Sequence, residues 1–309
     1  DEMRKGFTTR ASVFATLHKD STLILADLLD KSGLKGYVGL VNMNRNSPVY
    51  LCQSDFDKAV SDTEEFIVRC NKLSGIKPII TPRFIPSVDK PLLHQLHLLR
   101  DKYQLKCQSH LDENLKEIDW VKALEPDCES YSQCYEREDL LRNSVMAHCV
   151  YLKADERKLL KERKTFIAHC PDSNLNVCSG IAPIREYLDD DMLVGIGTDV
   201  AGGCSSSMIH SMALAIQVSK VNTMLQNKND LPLNISDVFA MATILGGQFF
   251  GKVGSFLPGY EFDCLVIDDS KVPYLGTLSL SERLERFVYL GNESAIVDKF
   301  VSGKAIDLK

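Results

Sequence analysis

Several familiar signals are absent from these 309 residues. No two of the ten cysteines stand as CxxC, and they are scattered through the chain. That usage predicts free thiols in a reducing compartment and not a disulfide framework. No apolar run approaches the ~18 residues a membrane span requires. The first residues, Asp1-Glu2-Met3-Arg4-Lys5, do not resemble a signal peptide, so the expected location is cytoplasmic. No glycine-rich turn follows an early strand, which leaves dehydrogenase and phosphate-transfer readings without support. Basic charge is also short: 36 Lys and Arg against 42 Asp and Glu leave a net charge of −6. A nucleic-acid groove, which usually carries a basic stripe, is therefore not expected.

What is present reads as an ordinary globular chain, 44% hydrophobic and 25% charged, long enough to bury a large core. Seven β-rich runs recur, at Phe7–Phe14, Gly36–Met43, Lys77–Phe84, Leu105–His110, Ser144–Val150, Thr165–Cys170 and Leu193–Asp199. Helical patterns lie between them. Ser61-Asp62-Thr63-Glu64 reads as a capping box opening a helix, and Lys90–Tyr103 carries one stripe of Leu92, Leu93, Leu96 and Leu99. The segments Glu113–Leu124, Lys153–Arg163, Met208–Met224 and Ser236–Phe250 follow the same period. Such alternation predicts parallel strands with crossover helices, in an open sheet or a barrel. Chemistry-bearing residues fall at strand ends, which favours a TIM-type (β/α)8 barrel with seven strands visible. The expected division is a barrel over 1–253 and part of a small β-sandwich subdomain over 254–309.

Four strand ends carry residues that burial alone would not select: Arg83-Phe84, His110 with Glu113 three residues on, His148, and Thr198-Asp199. A histidine at a buried strand end is costly unless hydrogen-bonded or metal-bound. Imidazole and carboxylate are zinc ligands, and a neighbouring carboxylate moves protons. Taken singly each has a plainer reading: a satisfied structural histidine, a helix cap at Asp199, a surface cation over a ring at Arg83. Their recurrence on successive strand ends favours an active site.

The runs Thr81-Pro82-Arg83-Phe84-Ile85-Pro86-Ser87, Gln108-Ser109-His110-Leu111-Asp112-Glu113-Asn114, Met146-Ala147-His148, Ala168-His169-Cys170-Pro171-Asp172-Ser173-Asn174-Leu175 and Gly195-Ile196-Gly197-Thr198-Asp199-Val200-Ala201-Gly202-Gly203 resemble, in order and spacing, the guanine deaminases of the amidohydrolase superfamily. The resemblance runs from about Gly6 to the C-terminal hairpin. It implies hydrolysis of guanine to xanthine and ammonia by a metal-bound hydroxide. It also implies that His110 and Asp199 are zinc ligands, that Glu113 is the proton shuttle, and that His148 orients the attacking group. Arg83 and Phe84 would hold the purine, with His110, Glu113 and Asp199 also facing it, and His169 would support the site from behind. One zinc per chain is implied, although His and carboxylate ligands accept iron as well. A homodimer is implied too.

The same resemblance leads one to expect a His-x-His pair at the end of a first barrel strand. The seven histidines, at 18, 94, 97, 110, 148, 169 and 210, include no such pair. The chain reads as starting at the helix before the second strand, with the first strand and the N-terminal half of the β subdomain not in this sequence. Val88 stands where a cysteine is expected and Asp172 where an asparagine is expected. Two other readings stay open: a deaminase of another amidine ring, and a scaffold that has lost its metal.

Overall fold

The computed structural model describes residues 1–225, 231–274 and 276–309. Two compact units emerge, one formed by Arg10–Ile167 and the other by Asp1–Thr9 together with Ala168–Lys309. All seven predicted strands are present. The first unit holds β1 (Arg10–Phe14), β2 (Lys35–Gly39), β3 (Val41–Asn42), β4 (Ile76–Pro78), β5 (Thr81–Pro82), β6 (Gln108–Leu111) and β7 (Val145–His148). It also holds the first residues of β8 (Phe166–His169).

Every pairing in this unit is parallel. Ala11 faces Gly36, Val38 faces Pro78, Val41 faces Thr81, Ile80 bridges to Cys107, and Ser109 faces Met146. Strand neighbours therefore follow chain order without the reversal that marks a doubly wound sheet. The strand runs are apolar on both faces, as sheets covered by helices require: Val38, Leu40, Val41, Ile76, Ile79 and Ile80 are all buried.

Helix boundaries follow their caps. Asp89 accepts from the N–H of Leu92 and starts Lys90–Tyr103, whose Leu92, Leu93, Leu96 and Leu99 are buried as the stripe predicts. The capping box at Ser61 is not a helix start. The helix is Phe56–Cys70, begun by Asp55, whose carboxylate accepts from Lys58 N–H, and the Ser61 hydroxyl turns back to the carbonyl of Lys58. An earlier start lets Ala59 reach the core. Asn114 caps Leu115–Leu124, so Glu113 stands just outside that helix.

The second unit contains the end of β8, β9 (Leu193–Ile196) and an antiparallel sheet of β10 (Cys264–Ile267), β11 (Ile296–Val301) and β12 (Lys304–Ala305). The expected helix 236–250 is broken into Ile235–Ala240, a wider π-turn at Met241–Leu245 and a tight turn at Gln248–Phe250. Gly246 lies there against Gly195 of β9, where an added Cβ would come within 3.0 Å of the Gly246 Cα. The tail is not all β. Ser279 and Glu282 form a reciprocal capping box that starts the helix Leu280–Leu290. The first residues belong with this tail: the Lys299 ammonium sits within hydrogen-bond reach of the carbonyls of Met3, Arg4, Gly6 and Thr8.

Candidate active site

His110 and His148 leave neighbouring parallel strands, with His110 opposite Ala147 and Leu111 opposite His148. Alternation along a strand would point the two rings to opposite faces. His148 leaves the strand conformation, with φ at +73°, an uncommon geometry for a residue with a Cβ. The rings consequently stack, 5.2 Å between centroids and 29° between planes. Phe14 from the end of β1 meets His110 edge-on at 4.8 Å.

His110 has a defined tautomer. Its Nδ1 lies 2.7 Å from the carbonyl oxygen of Arg83, which only accepts, so Nδ1 carries the proton and Nε2 the lone pair. A backbone carbonyl behind one nitrogen is the usual support of a metal-ligating histidine. Burial first, and then the adjacent His148, hold the His110 imidazolium down to about 3, so the ring is neutral, as a ligand must be. On these grounds His110 fits a divalent metal.

Glu113 approaches the buried His148, with Oε2 3.8 Å from Nε2. Arg83 is exposed, its guanidinium 5.0 Å from the centre of the Phe84 ring, and Phe84 meets Trp120 edge-on at 6.1 Å. His110, His148, Glu113, Arg83 and Phe84 thus belong to one unit. Asp199 and His169 belong to the other. Asp199 follows β9 with φ at +45°, and its carbonyl accepts from Gly203 N–H at 2.7 Å. Gly202 leaves room for that carboxylate, because a Cβ there would lie 2.8 Å from a carboxylate oxygen of Asp199 and would push it aside. His169 is buried at the end of β8, and its carbonyl accepts from Gly197 N–H.

Sequence reading missed the supports behind the histidines. Tyr135 is fully buried, its hydroxyl 2.6 Å from Ser109 Oγ and 2.9 Å from the carbonyl of His110. The carbonyl of Asp112 accepts from Val150 and Tyr151, fastening the end of β6 to the loop after β7. Burial, with Glu156 and Glu117 close by, pushes the Asp112 carboxyl well up. Burial also raises Glu117, although Tyr131 donates to it at 2.7 Å. Glu117 had a local signal, a carboxylate on the apolar side of its helix. Tyr135 had none.

The chain matches the amidohydrolase family over residues 3–306. It is 38% identical to guanine deaminase of Homo sapiens, covering 98% of this chain and 69% of that protein. It is 32% identical to guanine deaminase of Escherichia coli (strain K12), covering 98% and 70%. Its fold superposes with a TM-score of 0.95 on a solved guanine deaminase from C. acetobutylicum that holds guanine in its active site, at 45% identity over 99% of this chain and 73% of that one. That match makes the fold of TIM-barrel type. The chain belongs to the amidohydrolase family and, within it, to the guanine deaminases.

Proposed function

We infer that this chain is a hydrolase that converts guanine and water to xanthine and ammonia. The observation that carries the reading is the paired His110 and His148, with Glu113 against one and the Arg83 carbonyl behind the other, in a chain of guanine deaminase sequence.

Amidohydrolases are generally metal-dependent. The residues proposed as ligands are His110, through Nε2, and Asp199, through its carboxylate; zinc is the proposed ion. When bound, zinc would act as a Lewis acid and lower the pKa of water near neutral pH. The chain's own groups do the rest. Glu113 delivers a proton to a ring nitrogen of guanine, which makes the amino-bearing carbon electrophilic. It then carries the proton of the newly added hydroxyl to the amino group, which leaves as ammonia. Asp199 accepts the proton of the attacking water, and that proton restores the one Glu113 gave to the ring. His148, buried and held beside Glu113, orients the attacking group. Arg83 donates to the purine carbonyl with several rigid donors, Phe84 packs against the ring, and His169 supports the site from behind. The proposed division is a barrel over 1–253 with a β subdomain over 254–309, in a cytoplasmic homodimer.

A substrate panel tests the reading. The zinc-supplied protein is offered guanine, adenosine and an aminotriazine, and the ammonia released is measured. Guanine should be preferred by at least about two decades, the discrimination expected of a site built to bond a carbonyl. Turnover of another ring with guanine untouched would replace the substrate. No turnover of any ring with zinc bound would favour the scaffold reading.

A further inference from the structure

Asp172, Cys204 and His210 each present one ligand atom to a common point, and these atoms all lie within 4.8 Å of one another. The three come from different elements of the second unit. Asp172 is in the first turn of Pro171–Asn176, Cys204 in the loop beyond Asp199, and His210 in the first turn of Met208–Leu225. Asp172 is buried, whereas Cys204 and His210 face solvent. The backbone N–H of Cys204 donates to Asp172 Oδ2 at 2.8 Å and aims the carboxylate. Cys204 Sγ is 3.6 Å from Oδ1, and His210 Nε2 is 3.6 Å from Oδ2.

We propose that Asp172, Cys204 and His210 form a second metal site, for a borderline divalent cation such as zinc, with one position left to solvent. The spacing suits it. Tetrahedral zinc, with nitrogen or oxygen at ~2.0 Å and sulfur at ~2.3 Å, separates its ligand atoms by about 3.3–3.7 Å. Cys204 Sγ and His210 Nε2 each already stand 3.6 Å from the Asp172 carboxylate, the first from Oδ1 and the second from Oδ2, and no pair of the three ligand atoms is more than 4.8 Å apart. A thiolate and an imidazole beside a single carboxylate select zinc, cobalt or copper over calcium and magnesium, which need more oxygen. The plainer reading is a thiol donating to a carboxylate, with a surface histidine nearby by chance. Two features favour the metal. Asp172 supplies a full charge where the family resemblance leads one to expect an uncharged asparagine. Gly203 lets the loop close on it, since a Cβ there would lie 3.0 Å from Asp172 Oδ2 and 2.7 Å from the Thr198 carbonyl. The carboxylate also pushes the Cys204 thiol up, so a cation that binds must displace that proton. The ion would tie the loop that follows Asp199 to two helices.

Cobalt titration of the metal-stripped protein tests this, because none of the ligands proposed at His110 and Asp199 is a thiolate. Cobalt should raise a sulfur-to-metal charge-transfer band in the near ultraviolet that saturates at one thiolate-bound ion per chain, apart from any cobalt taken up without a band at His110 and Asp199, and zinc should bleach it. Cys204→Ser should abolish the band. His210→Ala and Asp172→Asn should weaken cobalt binding by at least about tenfold, the lower end of what losing even a supporting group costs. Cys178→Ser, which removes the other exposed thiol, should leave the band in place. Circular dichroism checks that each variant folds; should Cys204→Ser unfold, the exposed His210→Ala decides. A folded wild-type protein without the band, a band that survives Cys204→Ser, or cobalt affinity unchanged by His210→Ala would overturn the site.

Discussion

The Nδ1 of His110 lies 2.7 Å from the carbonyl oxygen of Arg83. The backbone of the residue proposed to read the purine is thus also the support of the residue proposed to hold the metal. Side chain and main chain of Arg83 serve different ends, and a substitution separates them.

Arg83→Ala keeps its carbonyl and removes only the guanidinium. Metal content and His110 should be unaffected, while KM for guanine rises and turnover falls. A charged hydrogen bond is worth about 1.5–3 kcal/mol, or roughly one to two decades in kcat/KM. Steady-state kinetics beside a metal assay checks this; unchanged kinetics in a folded variant would remove Arg83 from the purine site.

Glu113→Gln separates proton transfer from helix stabilisation. A carboxylate in a helix first turn contributes about 0.3–1 kcal/mol through the dipole, but Glu113 precedes the cap, and Asn114 does the capping. The melting temperature should therefore hardly move. Loss of a general acid–base costs about two to four decades in rate. A variant that melts lower yet deaminates guanine near the wild-type rate would contradict the mechanism.

Glu125 gives a pH dependence unrelated to catalysis. It is buried, and Arg45, Lys90 and Arg137 all pair with it. Burial alone would raise its carboxyl, but the hydrogen bonds from Lys90, Arg137 and Arg45 outweigh that and hold it below its ordinary 4.5. A depressed folded pKa means stability that is present above the ordinary value and lost as pH falls through the folded one. The melting temperature should decline with acid below about pH 4.5, and Glu125→Gln should flatten that decline. At neutral pH the variant should lose about 1.5–3 kcal/mol, the worth of charged hydrogen bonds. Thermal melts across the acid range measure both.

Lys299→Met tests the anchoring of the first residues. The ammonium reaches four carbonyls between Met3 and Thr8 from an almost fully buried position. Methionine matches its length but donates nothing, and leaving a buried acceptor unpaired costs about 1–3 kcal/mol. Trypsin should cut the variant after Arg4 or Lys5 much faster than the wild type. Equal cleavage would show that the remaining contacts, Arg4 on the carbonyls of Asp307 and Lys309 and Phe7 on Phe287, hold the segment without Lys299.

Local signals in the chain were enough to find all seven strands of the parallel series, because apolar runs bounded by turn residues need no partner to be recognised. The helix Lys90–Tyr103 was legible for the same reason, its apolar stripe lying within a few turns of one segment. The family motifs were legible because each is a contiguous run. Where two local signals competed, packing chose: Asp55 and Ser61 both look like helix starts, and the one that buries Ala59 prevails. Ser279 with Glu282 was a readable start that the strand-like tail obscured. Only the tertiary structure stacked His148 on His110, since strand pairing alone sets them on opposite faces and the turn at His148 undoes that. The bond from Tyr135 to His110, 25 residues apart, and the meeting of Asp172 with Cys204, 32 apart, follow from crossover connections and loop closure. Periodicity and capping act within a few residues, so no local pattern in the sequence encodes which distant side chains will meet.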